Sequence, residues 1–230
     1  MKRFALFVLL AFTACSTGRD AESDLVAIDV LLDPEPSMVT VCVTVNARLR
    51  ENYPAGFALG ADHAPHITVL QRFVRADDLD EVFRAVEEVI QGRDIAALQL
   101  TATGFYFNPH EALGLVGITV SPTPELLDLQ AAIIAAVQPF SVPDGTGAAF
   151  VQNSSGVPIS QSTVDNMNAF VSHSSGQNYD PHITLGLAEP AFLDSLRGEP
   201  FTPIPFTAGS VSIYQLGDLG TARKKLWPQD

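Results

Sequence analysis

Apolar and polar positions alternate most plainly at Val39, Val41, Val43 and Val45, with Thr40, Cys42, Thr44 and Asn46 between them. A period of two predicts a half-buried strand there. A short helix or turn follows through Arg50 and stops before Pro54. Beyond Gly56 and Gly60, a strand is expected from about residue 66 to Phe73. Leu79, Val82, Phe83, Val86, Val89 and Ile90 keep helical spacing, which predicts a helix capped by Asp77 and stopped at Gly92. Residues 98–107 alternate again, and Asn108-Pro109-His110-Glu111 turns them back into a strand over 113–120. Thr123, Pro124 and Glu125 open a second helix, apolar at Leu126, Leu129, Ile133 and Val137. Residues 141–160 are rich in Gly, Ser and Pro and predict a long loop. A helix over 161–172 follows, then a strand from 182, a short helix between Pro190 and Gly198, and strands around 211–216 and Trp227. This order predicts an α+β protein of two β-rich halves. Parallel winding fits less well, because hairpins imply antiparallel pairing.

Composition narrows the class. The 230 residues are 47% hydrophobic and 17% charged, enough to bury a core as one large domain or two lobes. The formal net charge of −13 disfavours a long nucleic acid as partner, since such binding draws on cationic contacts to phosphates. A small anion remains compatible, because a few local donors can outweigh the global field. Lys2 and Arg3, the short apolar run over residues 4–12, and Thr13-Ala14-Cys15 predict a bacterial lipoprotein signal over residues 1–15, with Cys15 as the lipidated residue. The location expected is the periplasmic side of the outer membrane, with a soluble periplasmic protein as the alternative. The membrane is then met through the lipid anchor only. Residues 16–27, with Asp20, Glu22 and Asp24, read as a solvated tether, which leaves residues 28–230 as the folded domain. Cys42 is expected to be a small buried strand residue; the two cysteines supply neither a disulfide framework nor metal-ligand spacing.

The candidate chemistry lies in a repeat. Pro65-His66-Ile67-Thr68 recurs unchanged as Pro181-His182-Ile183-Thr184, and two of the five histidines occupy matching places in it. Given one copy, a second arises by chance roughly once in a thousand such chains, so the two form an internal repeat. On a strand, residues i and i+2 share a face. His66 and Thr68 therefore point one way and Ile67 and Val69 the other; His182 and Thr184 oppose Ile183 and Leu185 likewise. Two imidazoles that face each other can divide acid–base work, one accepting a proton while the other donates. Hydroxyls beside them can steady charge on a phosphorus centre. That set suits phosphodiester cleavage with no metal and no cofactor.

The paired His-x-Thr strands, with helices and strands in this order, resemble the two-histidine (2H) phosphoesterase superfamily. It includes 2′,3′-cyclic-nucleotide phosphodiesterases and the bacterial proteins called RNA 2′,3′-cyclic phosphodiesterases or 2′-5′ RNA ligases. The resemblance spans roughly residues 28–230. It implies two pseudo-symmetric lobes, antiparallel sheets lining a central cleft, and helices on the outside. It also implies His66 and His182 as catalytic acid and base, in an order left open, with Thr68 and Thr184 binding phosphate. The implied substrate is a 2′,3′-cyclic phosphate or a related cyclic or 2′-5′ phosphodiester. The acidic composition, the export signal and the 141–160 segment depart from an RNA-processing member. They favour a nucleotide, a short oligonucleotide or another small cyclic phosphate as substrate; a monomer is expected.

Other residues carry weaker signals. Tyr106 and Tyr179 are candidates for stacking a base, while Phe105 and Phe107 are expected in the core. His63, His110 and His173 read as surface residues, and Arg223-Lys224-Lys225 as a solvated basic run. The alternatives to hydrolysis are a non-catalytic nucleotide- or phosphate-binding lipoprotein of the same fold, a 2′-5′ RNA ligase, and an envelope scaffold.

Overall fold

The computed structural model describes residues 24–229; the expected signal over 1–15, Cys15 and residues 16–23 of the expected tether lie outside them. Strand β1 (Leu25–Pro34) begins inside the segment read as tether. Its run Leu-Val-Ala-Ile-Asp-Val-Leu-Leu is almost wholly buried, because β1 is paired on both edges, to β2 (Ile67–Arg75) and to β7 (Ile204–Leu216). A strand with two neighbours and two covered faces needs continuous apolar character rather than alternation.

Residues 36–52 form helix α1 (Pro36–Asn52), so the strand expected over 39–45 is corrected. Pro36 stands in the first turn, where its missing N–H costs nothing. The buried positions Met38, Cys42, Asn46 and Leu49 recur at helical spacing, while Val43 is 41% exposed. Packing decides here: β-branched residues lose only a few tenths of a kcal/mol each in a helix, less than burying one such stripe gains. Cys42 is buried as expected, but in a helix, and burial pushes its thiol up to about 12.

After β2, a short 3-10 turn holds Asp77, and α2 (Leu79–Ile90) starts with no side-chain cap, so Asp77 does not cap it. Strands β3 (Gln99–His110) and β4 (Leu113–Val120) pair out to His110 and Leu113; the turn falls at Glu111 rather than at 108–111. Helix α3 (Pro124–Val137) is capped as expected, with Thr123 Oγ1 accepting from the Leu126 amide. Strand β5 (Ser141–Val142), α4 (Gln161–His173), β6 (His182–Ala188), α5 (Pro190–Arg197), β7 and β8 (Ala222–Trp227) complete the chain. The 141–160 segment is packed: Ala149, Phe150 and Ile159 join Phe73, Val164 and Met167 in a second core. A Cβ on Gly145 would lie 2.3 Å from the Phe73 ring, so that turn needs glycine.

The fold is α+β. All strand pairings are antiparallel, in the order β5-β2-β1-β7-β3-β4-β6, with β8 also on β7. The two halves meet at β7, which pairs with β1 through Ala208–Gln215 and with β3 through Ile204–Thr207. The helices cross between halves: α1 packs on β6, whereas α3 and α4 pack on β2.

Asn46 ties this crossing together. Its Nδ2 donates to the Leu185 and Phe57 carbonyls, at 2.8 and 3.0 Å, and its Oδ1 accepts from the Leu59 amide. Asn46→Ala strands those backbone groups and is expected to lower unfolding free energy by about 2–3 kcal/mol in urea denaturation. A loss below about 0.5 kcal/mol would show that the amide is not what joins α1 to β6 and the 53–66 loop.

Candidate active site

Each motif enters its strand through a proline. Ile67, Val69, Ile183 and Leu185 are buried in the core, and His66, Thr68, His182 and Thr184 all line one cleft of about 520 Å³. The period-two expectation for both copies holds.

In the first copy, the His66 Nδ1 lies 2.7 Å from the Ala64 carbonyl. A carbonyl only accepts, so Nδ1 carries the hydrogen and Nε2 is left for other work. Behind the pair lies Asp29 of β1, fully buried. Thr68 Oγ1 donates to Asp29 Oδ2 at 2.7 Å, Gln71 Nε2 donates to the same oxygen at 3.3 Å, and His66 Nε2 lies 3.5 Å from it. Burial would depress the His66 imidazolium, but Asp29 outweighs it and holds His66 above the ordinary histidine value. Asp29 and Gln71 were not singled out from the sequence. An acidic residue set between Ile28 and Val30, inside the apolar run of 25–34, was the available signal.

In the second copy, the His182 Nδ1 lies 2.8 Å from the Asp180 carbonyl, which fixes the same tautomer. Among the described residues, no carboxylate is hydrogen-bonded or ion-paired to this pair. Tyr106 stands there instead, its ring edge-on to the imidazole with centroids 4.7 Å apart and its hydroxyl 3.3 Å from Thr184 Oγ1. Burial lowers His182 below the ordinary histidine value, and the neighbouring His66 adds to this. Burial also pushes the Tyr106 phenol up to about 12, so it stays a neutral donor.

The remaining sequence candidates divide. Tyr106 reaches the cleft, but Tyr179 does not: it is 6% exposed and its hydroxyl donates to the Thr68 carbonyl at 2.7 Å, under the motif strand. His110 and His173, expected on the surface, line the cleft from the β3–β4 hairpin and from α4. His63 stacks on Phe57 instead. Phe105 packs edge-on to Phe201, as a core strand residue would. Arg223, Lys224 and Lys225 lie on β8 and are not among the lining residues. Among the described residues, no group of three or more His, Cys, Asp or Glu is placed to hold a metal ion.

One wall of the cleft is latched by Asp218. Its Oδ1 accepts from Ser160 N at 3.1 Å, Ser160 Oγ at 2.7 Å, Thr163 Oγ1 at 2.8 Å and Leu219 N at 3.0 Å. This joins the start of α4 to the β7–β8 turn, where Leu219 and Gly220 face the cleft. Partial burial opposes ionisation of Asp218, yet the four donors prevail and hold its carboxyl below the usual range.

A sequence profile of the 2′-5′ RNA ligase superfamily matches residues 41–218. No curated protein matches the chain. Among solved structures, TT0787 of Thermus thermophilus is similar at a TM-score of 0.52 and 13% identity, over 87% of this chain and 94% of that one. LigT of Escherichia coli in its apo form gives 0.41 and 15%, over 88% and 95%. Usb1 of Kluyveromyces marxianus with uridine monophosphate gives 0.37 and 9%, over 85% and 100%. At these identities the likeness to TT0787 bears on the fold alone.

Because the folded Asp218 ionises more readily than in the unfolded chain, its contribution is present above the unfolded value and is lost as pH falls through the folded one. Asp218→Asn is therefore expected to lower the urea midpoint clearly at neutral pH and less at about pH 3, where the unfolded carboxyl is already mostly protonated. An equal decrement at both pH values would show that the carboxylate charge is not what closes the wall.

Proposed function

Since the chain belongs to the 2′-5′ RNA ligase superfamily of two-histidine phosphoesterases, we propose that it hydrolyses 2′,3′-cyclic phosphates, or related small cyclic or 2′-5′ phosphodiesters. The observation that carries this reading is the convergence of both His/Thr pairs on one cleft, each imidazole tethered through Nδ1 to a backbone carbonyl. With Nδ1 held this way, Nε2 is the working nitrogen of each ring. One ring takes the proton of the attacking water and the other supplies a proton to the departing ribose oxygen. Thr184 and Tyr106 offer neutral donors to the non-bridging oxygens. Thr68 does the same once its hydroxyl, given to Asp29 in the free protein, turns toward the cleft. The paired histidines supply acid and base themselves, so the reaction is proposed to run without a metal.

Size and charge support a small substrate. A cleft of about 520 Å³ is in the range of sites that enclose a nucleotide. Its lining contains four histidines and, among the described residues, neither lysine nor arginine, a poor match for the successive phosphates of a long RNA.

The test is hydrolysis of the nucleoside 2′,3′-cyclic monophosphates in EDTA. The wild type is expected to turn over in the chelator, and His66→Ala and His182→Ala are each expected to lose roughly 10²–10⁴ in kcat/KM. Absence of turnover on cyclic mononucleotides and on short 2′-5′ and cyclic oligonucleotides, with nucleotide binding retained, would replace hydrolysis by a binding role. Turnover abolished by EDTA would exclude the metal-free route.

A further inference from the structure

The two motif copies are identical in sequence but not in what stands behind them. Strand β1 passes under the first copy and carries Asp29, fully buried, with two hydrogen-bond donors and His66 Nε2 gathered about Oδ2 and no partner for Oδ1 among the described residues. A buried carboxylate oxygen left without a hydrogen bond is costly, so the position needs a compensating partner. His66, with Nε2 3.5 Å from Oδ2, is the group whose positive charge can offset that carboxylate. Its Nδ1–H is already given to the Ala64 carbonyl, so its contact with Asp29 is attractive only when Nε2 also carries a proton. At 3.5 Å the pair is long for a hydrogen bond, so the Nε2–H is not spent on Asp29 and stays available to a ligand in the cleft. His182 differs on this one point: its Nδ1–H is likewise given away, but a tyrosine ring edge stands beside it and no carboxylate among the described residues is hydrogen-bonded or ion-paired to it. Its Nε2 is therefore free to present a lone pair.

The other ionisable groups around the pair do not erase this difference. Asp33, further along β1, adds to the field of Asp29 at His66, and His182 faces it from β6. Asp180 and the more distant Asp29 favour a charged His182, but burial and His66 oppose them more strongly. Tyr106 and Tyr179 are neutral phenols held well above neutrality, and His63, which shares a small cavity with His66, is lowered by burial. His110 and His173 lie on the cleft walls.

We propose that Asp29 is a positioning residue that commits His66 to the proton-donor role and thereby leaves His182 as the base. This rests on the phosphodiesterase reading of the same cleft. In the step it describes, His182 Nε2 takes a proton from water as the water oxygen bonds to phosphorus. The bond from phosphorus to one ribose oxygen breaks, and His66 Nε2–H protonates that oxygen. The products are a phosphomonoester and a free hydroxyl, with His66 neutral and His182 protonated until both exchange with solvent.

The sign of the pH dependence follows. The base must be neutral, so activity rises through the His182 value; the acid must be protonated, so activity falls through the higher His66 value. Removing the Asp29 charge should bring the alkaline limb down in pH and move the acidic limb much less, since Asp29 acts on His182 only from a distance.

The experiment follows the histidine ring protons by NMR across pH in the full chain, assigned with His66→Gln and His182→Gln, for wild type and Asp29→Asn. Alongside it, the pH profile of kcat/KM for a nucleoside 2′,3′-cyclic monophosphate is measured. His66 is expected to titrate above His182 in the wild type and to fall by about one unit or more in Asp29→Asn, with the alkaline limb moving by the same amount. A wild type in which His182 titrates above His66 overturns the proposal, and this measurement stands even where Asp29→Asn fails to fold. An unchanged His66 titration in a folded Asp29→Asn overturns it too. Loss of all turnover in the wild type, with the titrations as expected, would instead fault the substrate reading and leave the Asp29–His66 pairing intact.

Discussion

The backbone ladder that runs through β7 is the constraint on which the site depends. The two histidines are far apart in sequence, and acid–base chemistry tolerates little error in their placement. Strand β7 belongs to both halves, bonded to β1 over one stretch and to β3 over another, so β2 and β6 are held through a continuous chain of strand pairs. The crossing helices reinforce this, since α1 presses on β6 and α4 on β2. Side chains then need only the strand alternation to face the cleft, and the buried Ile67 and Ile183 hold that alternation in register.

Within this symmetric frame the chemistry is asymmetric. Both imidazoles are tethered by Nδ1 to a carbonyl two residues earlier in the chain, a local device that the repeat copies along with its sequence. What differs comes from other strands: Asp29 from β1 behind one pair, Tyr106 from β3 beside the other. A duplicated motif thus supplies two like groups, and their surroundings make them unlike.

Much of this was legible in the sequence wherever one periodicity dominated. The motif strands, the β3–β4 hairpin and the helices beginning near Leu79 and Thr123 follow their apolar spacing. Helix α1 was not legible, because its valines alternate while its buried stripe includes the polar Asn46, whose partners lie on a distant strand and loop. Strand β1 escaped for the opposite reason: buried on both faces, it shows no alternation, and the role of Asp29 emerges only once β2 is laid beside it. Tyr179 shows the same limit. A tyrosine near a motif fits a stacking role from sequence, and only the fold reveals that its hydroxyl is spent on the Thr68 carbonyl. His110 and His173 reach the cleft through tertiary placement that no local pattern encodes.

The crossing of the helices also bears on how the chain is made. During synthesis α1 appears early, yet the strand that covers its buried stripe, β6, is among the last elements to emerge. The first half therefore leaves the ribosome with Met38, Cys42 and Leu49 uncovered, and its own sheet waits for β7 to complete the pairing of β1. Such a chain closes late and all at once rather than lobe by lobe. The interlock that aligns the histidines in the finished protein thus leaves the apolar stripe of the nascent one bare until nearly its whole length is available.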